Sequence, residues 1–105
     1  MKNKLLRHIV CVRFKPETSA AQIEDIEQEF ARLAQLIDGI ERIVAGCNES
    51  IEKKDRGVTH IWELTFESTT ARNNYLTHPA HQAFSRALAP LREEVLVFDY
   101  PVPEA

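Results

Sequence analysis

Tyr75, His78 and His81 bring a phenol and two imidazoles within two helical turns, in the segment Tyr75-Leu76-Thr77-His78-Pro79-Ala80-His81. Residues three and four apart on a helix share a face, so this spacing puts His78 and His81 together, with Tyr75 one turn earlier across the break that Pro79 marks. Such a set suits general acid–base work at the rim of a binding site. An imidazole accepts a proton near neutral pH, and a phenol hydrogen-bonds a carbonyl oxygen and steadies developing negative charge. The same residues also read as a helix start. In that reading His78 is the N-cap, Pro79 the first helical residue and His81 a partly buried ring satisfied by one hydrogen bond.

The elements that must position these groups follow from hydropathy spacing. Leu6 to Phe14 alternates, with His8, Val10, Val12 and Phe14 on one face and Ile9, Cys11 and Arg13 on the other, as in a strand covered on both sides. After the Lys15-Pro16-Glu17-Thr18 break, Thr18 or Ser19 caps a long amphipathic helix carrying Ile23, Ile26, Phe30, Leu33, Ala34 and Ile37, which ends near Asp38-Gly39. Ile40 to Ile51 reads as a second strand, residues 52–57 as a charged hairpin connection and Val58 to Phe66 as a third strand. Ser68 caps a short helix over Thr69 to Leu76, Pro79 opens another reaching about Leu91, and Val95 to Tyr100 closes as a fourth strand.

The order βαββαβ, with right-handed crossovers, predicts an α+β ferredoxin-like fold with a four-stranded antiparallel sheet and the helices on one face. The opposite face, with Ile9, Cys11, Ile43 or Val44, Ile61, Leu96 and Phe98, is too apolar to leave in water. A homodimer packed sheet on sheet covers it, and Arg13 and Glu63 are placed to pair there. On the helix side, His8, His60 and Asp99 are expected to face the same cavity as Tyr75 and His81, with Asp99 orienting His81. Val10, Phe30, Trp62 and Val95, with His8, His60 and His78, are assigned to the wall that touches a ligand. The competing reading makes His8 and His60 core histidines and pairs Asp99 locally beside Tyr100-Pro101.

The 105 residues, 44% hydrophobic, suffice for one core, so a single domain over residues 1–105 is expected. Thirteen Lys plus Arg against sixteen Asp plus Glu give a net charge of -3 with no block of like sign, which argues against a nucleic-acid partner. No apolar run approaches the roughly 20 residues of a membrane span, and Met1-Lys2-Asn3-Lys4 leads straight into a strand pattern; a cytoplasmic protein is expected. Cys11 and Cys47 show no CxxC and no zinc-type spacing, and are expected to be free and largely buried thiols.

His8-Ile9-Val10 through Phe14-Lys15, Gly57-Val58-Thr59-His60, Thr65-Phe66-Glu67-Ser68, Tyr75, His78-Pro79-Ala80-His81, Phe84 and Phe98-Asp99-Tyr100 together resemble the Dabb family, the stress-responsive dimeric α/β barrels. The resemblance spans nearly the whole chain. It implies a ferredoxin-like homodimer with a central barrel of two sheets. By likeness to a plant polyketide cyclase of the family, it also implies an aldol step in which His81 removes an α-proton, Tyr75 holds a thioester or ketone oxygen and Asp99 orients the base. His8 and His60 then line the cavity. The pattern departs from that cyclase where its substrate tail sits: aromatic positions become Glu27 and Phe30, and a cavity Trp becomes Arg92. The resemblance further implies a cation, such as Mg²⁺, on the backbone carbonyls of Ala34, Ile37 and Ile40. Since many family members have no known activity, a non-catalytic structural or stress-associated dimer stands as the alternative.

Overall fold

The computed structural model describes residues 4–103; Met1 to Asn3, where the basic lead-in begins, and the last two residues lie outside them. Its elements are β1 (Leu6–Phe14), α1 (Ala20–Leu36), β2 (Ile40–Cys47), β3 (His60–Phe66), α2 (Thr69–Thr77), α3 (Pro79–Leu88) and β4 (Arg92–Pro101). The strands lie in the order β2-β3-β1-β4, and every neighbouring pair is antiparallel. This is the ferredoxin-like βαββαβ arrangement, with α2 and α3 sharing the place of the second helix.

Alternation in β1 produces the expected division: His8, Val10, Val12 and Phe14 are buried, and Arg7, Ile9, Cys11 and Arg13 are half-buried. α1 begins where the Ser19 side chain accepts from the Gln22 amide and the Gln22 side chain accepts from the Ser19 amide, a reciprocal capping box. Its apolar stripe, Ile26, Phe30 and Leu33, packs with Val10, Trp62, Leu64, Phe66, Tyr75, Phe84 and Leu88 into one core. Each such side chain contributes about 1.5–3 kcal/mol by leaving water. Gly39, at φ 94°, makes the turn into β2, and a Cβ there would stand 2.7 Å from the Ala71 Cβ of α2. Both facts call for glycine.

The ends of several elements differ from the expectation. β2 stops at Cys47, because the Asn48 side chain donates to the Val58 carbonyl and accepts from the Ser50 amide, which turns the chain out of the ladder and leaves Ile51 exposed. β3 starts at His60, since the Val58 amide is spent on the Asp55 carbonyl. α3 ends at Leu88, ahead of Pro90, which has no amide for the helix ladder. β4 begins at Arg92, because it pairs with β1 as far as Phe14.

The sheet face away from the helices carries Ile9, Cys11, Ile61 and Leu96, all half-buried, with Val44 and Phe98 exposed at 41% and 56%. Ile43 packs against the core, so it is Val44 that joins this face. Arg13 and Glu63 do not pair there. Glu63 accepts from Arg7 at 2.9 Å, while Arg13 reaches Glu93 and Glu94 at 3.3 Å. The cysteines are free, but only Cys11 is even half-buried, its thiol pushed up by desolvation, whereas Cys47 is exposed.

Candidate active site

Between the sheet and the helices lies a cavity of about 260 Å³. Its walls come from β1 (His8, Val10), α1 (Phe30), α2 (Tyr75, Leu76), α3 (His81, Phe84, Ser85, Leu88) and β4 (Arg92, Val95, Val97). Of the residues expected from sequence, His8, Val10, Phe30, Tyr75, His81 and Val95 meet here. The apolar side chains surround a small set of polar groups, the usual makeup of a ligand pocket.

Tyr75 and His81 meet across the α2–α3 break, with ring centroids 4.3 Å apart. The break itself is specified locally: His78 ends α2 in extended geometry and its Nδ1 accepts from the Ala80 amide at 3.0 Å, while Pro79 opens α3. This geometry turns His81 back over Tyr75. Burial raises the Tyr75 phenol well above its usual range, with no hydrogen bond acting on it, so the hydroxyl stays protonated and free to donate to a ligand. His81 is half-buried. Desolvation lowers its pKa, the Leu76 carbonyl partly opposes this, and the nearby His8 lowers it further. Its Nδ1–H donates to the Leu76 carbonyl at 3.3 Å, so the neutral ring keeps the lone pair on Nε2.

Asp99 serves a different histidine from the one expected. His8 and Asp99 are direct partners across β1 and β4, and the His8 Nδ1–H donates to Asp99 Oδ1 at 2.7 Å. Arg72 of α2, one turn before Tyr75, donates to the other carboxylate oxygen. His81 is therefore oriented by a backbone carbonyl, and the carboxylate fixes His8, whose ring lies edge-on to Tyr75 with centroids 5.8 Å apart. The physical reason is register: the strand pairing sets Asp99 directly opposite His8, and its two carboxylate oxygens are taken by His8 and Arg72.

His60, Trp62 and His78 lie outside the cavity walls. In the antiparallel pairing His8 faces Leu64 and His60 faces Val12, so the two histidines stand four residues apart along the ladder, roughly 13 Å at 3.3 Å per residue. His60 instead meets Phe14 edge-on and hydrogen-bonds Thr59 Oγ1 at 2.7 Å. Trp62 is core, stacked on Phe30 with centroids 4.9 Å apart. His78 is the helix cap of the alternative reading. Phe84, Ser85 and Leu88 complete the α3 wall; they stand three, four and seven residues after His81, a spacing that marks one helix face. Arg72 gave no signal in sequence. Ala34, Ile37 and Ile40 cluster at the turn from α1 to β2 and none lines the cavity.

The stress-responsive A/B barrel domain model, Dabb, matches residues 6–102. The chain belongs to this family. Its relatives include olivetolic acid cyclase of Cannabis sativa, 33% identical over 95 residues that cover 90% of this chain and 94% of the cyclase. The stress-response A/B barrel domain-containing protein HS1 of Arabidopsis thaliana is 37% identical, covering 90% of this chain and 87% of that protein. Among solved structures, hydroxynitrile lyase from Passiflora edulis superposes with a TM-score of 0.87 at 28% identity, covering 97% of this chain and 96% of that one. The proteins this chain resembles thus include enzymes beside a protein named for its stress-response A/B barrel domain. Among the described residues, no helix is long and apolar enough to cross a membrane.

Proposed function

We propose that this Dabb protein is a cytoplasmic homodimer that binds a small carbonyl compound in the Tyr75–His81 cavity and catalyses a cyclase- or lyase-like step on it. The observation that carries the reading is the meeting of the Tyr75 and His81 rings at one cavity wall, centroids 4.3 Å apart and tilted by 44°, where burial favours the protonated phenol and the uncharged imidazole. His81 Nε2 takes a proton from the carbon next to the ligand carbonyl. Tyr75 donates to the carbonyl oxygen as negative charge grows there, and the resulting enolate attacks a second carbonyl in a polyketide-cyclase-like aldol closure. The proton on His81 is then returned to the new alkoxide. His8, held by Asp99, presents a second polar ring beside Tyr75. The cyclase and lyase among the relatives support catalysis as a class.

Homodimerisation is supported by the apolar sheet face, and dimeric proteins occur among solved structures of this fold. A cation of the kind the family resemblance implies would sit on the carbonyls of Ala34, Ile37 and Ile40. The end of a helix leaves carbonyls without intrahelical donors, which is oxygen chemistry suited to a hard ion. Ala34 in α1 and Ile40 in β2 would hold it between the two elements, away from the cavity walls.

The test is deuterium exchange into the α-carbon of a simple ketone thioester in D2O, followed by NMR. The wild-type protein should accelerate exchange and His81→Ala should return it to background; equal rates for both overturn the catalytic reading. The apolar sheet face favours a second reading, in which the dimer itself is the product and the cavity is idle. That reading predicts no ligand-induced shift of the Tyr75 or His81 resonances.

A further inference from the structure

Arg92 is the one permanently charged side chain in the cavity wall, and among the described residues it has no ion-pair partner. Its two neighbours in sequence are acidic but already engaged: Glu93 with Arg13, and Glu94 with Arg13 and Arg56. No carboxylate lines the cavity. The position of the guanidinium follows from a defect in the sheet. Arg13 pairs with Glu94 and Phe14 with Arg92, so Glu93 is an extra residue on β4, a β-bulge. With strict alternation Arg92 would share the outer face with Glu94. The bulge shifts the period by one and brings Arg92 to the face of Phe14, Val95 and Val97, above the cavity.

We infer that Arg92 is the anion-binding group of this cavity and that the ligand is a keto acid, its carboxylate on Arg92 and its carbonyl toward Tyr75 and His81. This rests on the carbonyl-binding reading above and narrows it to a substrate class. A half-buried guanidinium among Phe30, Leu88 and Val95 gains more from a planar, bidentate carboxylate than a solvated one does. One guanidinium balances one negative charge. A phosphate monoester, at about -1.5 to -2, would leave charge uncompensated against an apolar wall.

The experiment compares 5-oxohexanoate with its methyl ester by NMR titration of the His81 and Tyr75 resonances, in wild-type protein and in Arg92→Met and Arg92→Lys. The acid is expected to bind about tenfold more tightly than the ester, as one charge-assisted hydrogen-bonded pair supplies. Arg92→Met should erase that preference by weakening the acid more than the ester, and Arg92→Lys should keep part of it. An ester that binds as well as the acid, or a preference that survives Arg92→Met, overturns the anion site while the carbonyl site stands. Equal competition by inorganic phosphate overturns the carboxylate assignment. If neither probe moves the His81 and Tyr75 signals, both readings fall.

Discussion

His8 and Asp99 face each other across adjacent antiparallel strands, and the His8 Nδ1–H donates to Asp99 Oδ1 at 2.7 Å with Arg72 on the other oxygen. The carboxylate thus joins α2 to the sheet and fixes the tautomer of a buried ring. Removing it leaves His8 with an unsatisfied buried donor and Arg72 without its counter-charge. Asp99→Ala should lose about 1–3 kcal/mol in urea unfolding. A loss below about 0.5 kcal/mol, typical of an ordinary surface change, would show that the pair does not hold the structure.

Tyr75 and His81 separate packing from chemistry. The Tyr75 hydroxyl is engaged with no protein group, so Tyr75→Phe should leave urea stability within about 0.5 kcal/mol of wild type. The same change should slow α-proton exchange about 10²-fold or more, and His81→Ala about 10²–10⁴-fold. Unfolding and exchange measured on the same samples check both; a Tyr75→Phe protein with full exchange activity removes the phenol from the mechanism.

His81 also sets a pH dependence. Its folded pKa lies below the ordinary 6.5, chiefly by desolvation, so the unfolded chain binds the proton more readily. Stability is therefore fully present above 6.5 and declines as pH falls from there toward the folded pKa. The difference in unfolding free energy between wild type and His81→Gln should shrink over that window, and the His81 ring should titrate by NMR with a midpoint below 6.5. A midpoint above it would contradict the desolvated placement.

Gly39 is a backbone requirement. Its φ of 94° and the 2.7 Å approach of an added Cβ to Ala71 both oppose any side chain. Gly39→Ala should lower stability by about 1–3 kcal/mol. Adding Ala71→Gly relieves the contact but not the backbone strain, so a double-mutant cycle should show partial recovery. Full recovery would mean that strain has no part in it.

On the outer sheet face, Ile9→Asp places a charge among Cys11, Ile61, Leu96 and Phe98. If two copies cover this face, sedimentation should show loss of the dimer, as monomer or as insoluble chain. A wild-type protein that sediments as a monomer at all concentrations would refute the dimer.

Element order, the faces of β1, the Ser68 cap and the His78-Pro79 break were legible in the sequence, and the first cap was narrowed to Thr18 or Ser19, of which Ser19 serves. Alternation, helical spacing and capping are set by residues a few positions apart. The family followed from motifs spread along the chain. What the tertiary structure alone decided is who meets whom. Asp99 serves His8 and not His81, and His60 stands four rungs from His8, because strand register is fixed by the whole sheet. The Glu93 bulge turns Arg92 into the cavity for the same reason, since an inserted residue is visible only once two strands are laid side by side. The sequence thus determined which groups exist and, in an unbroken strand such as β1, which face each occupies; pairing across distant segments decided the face of Arg92 and the chemistry the groups share.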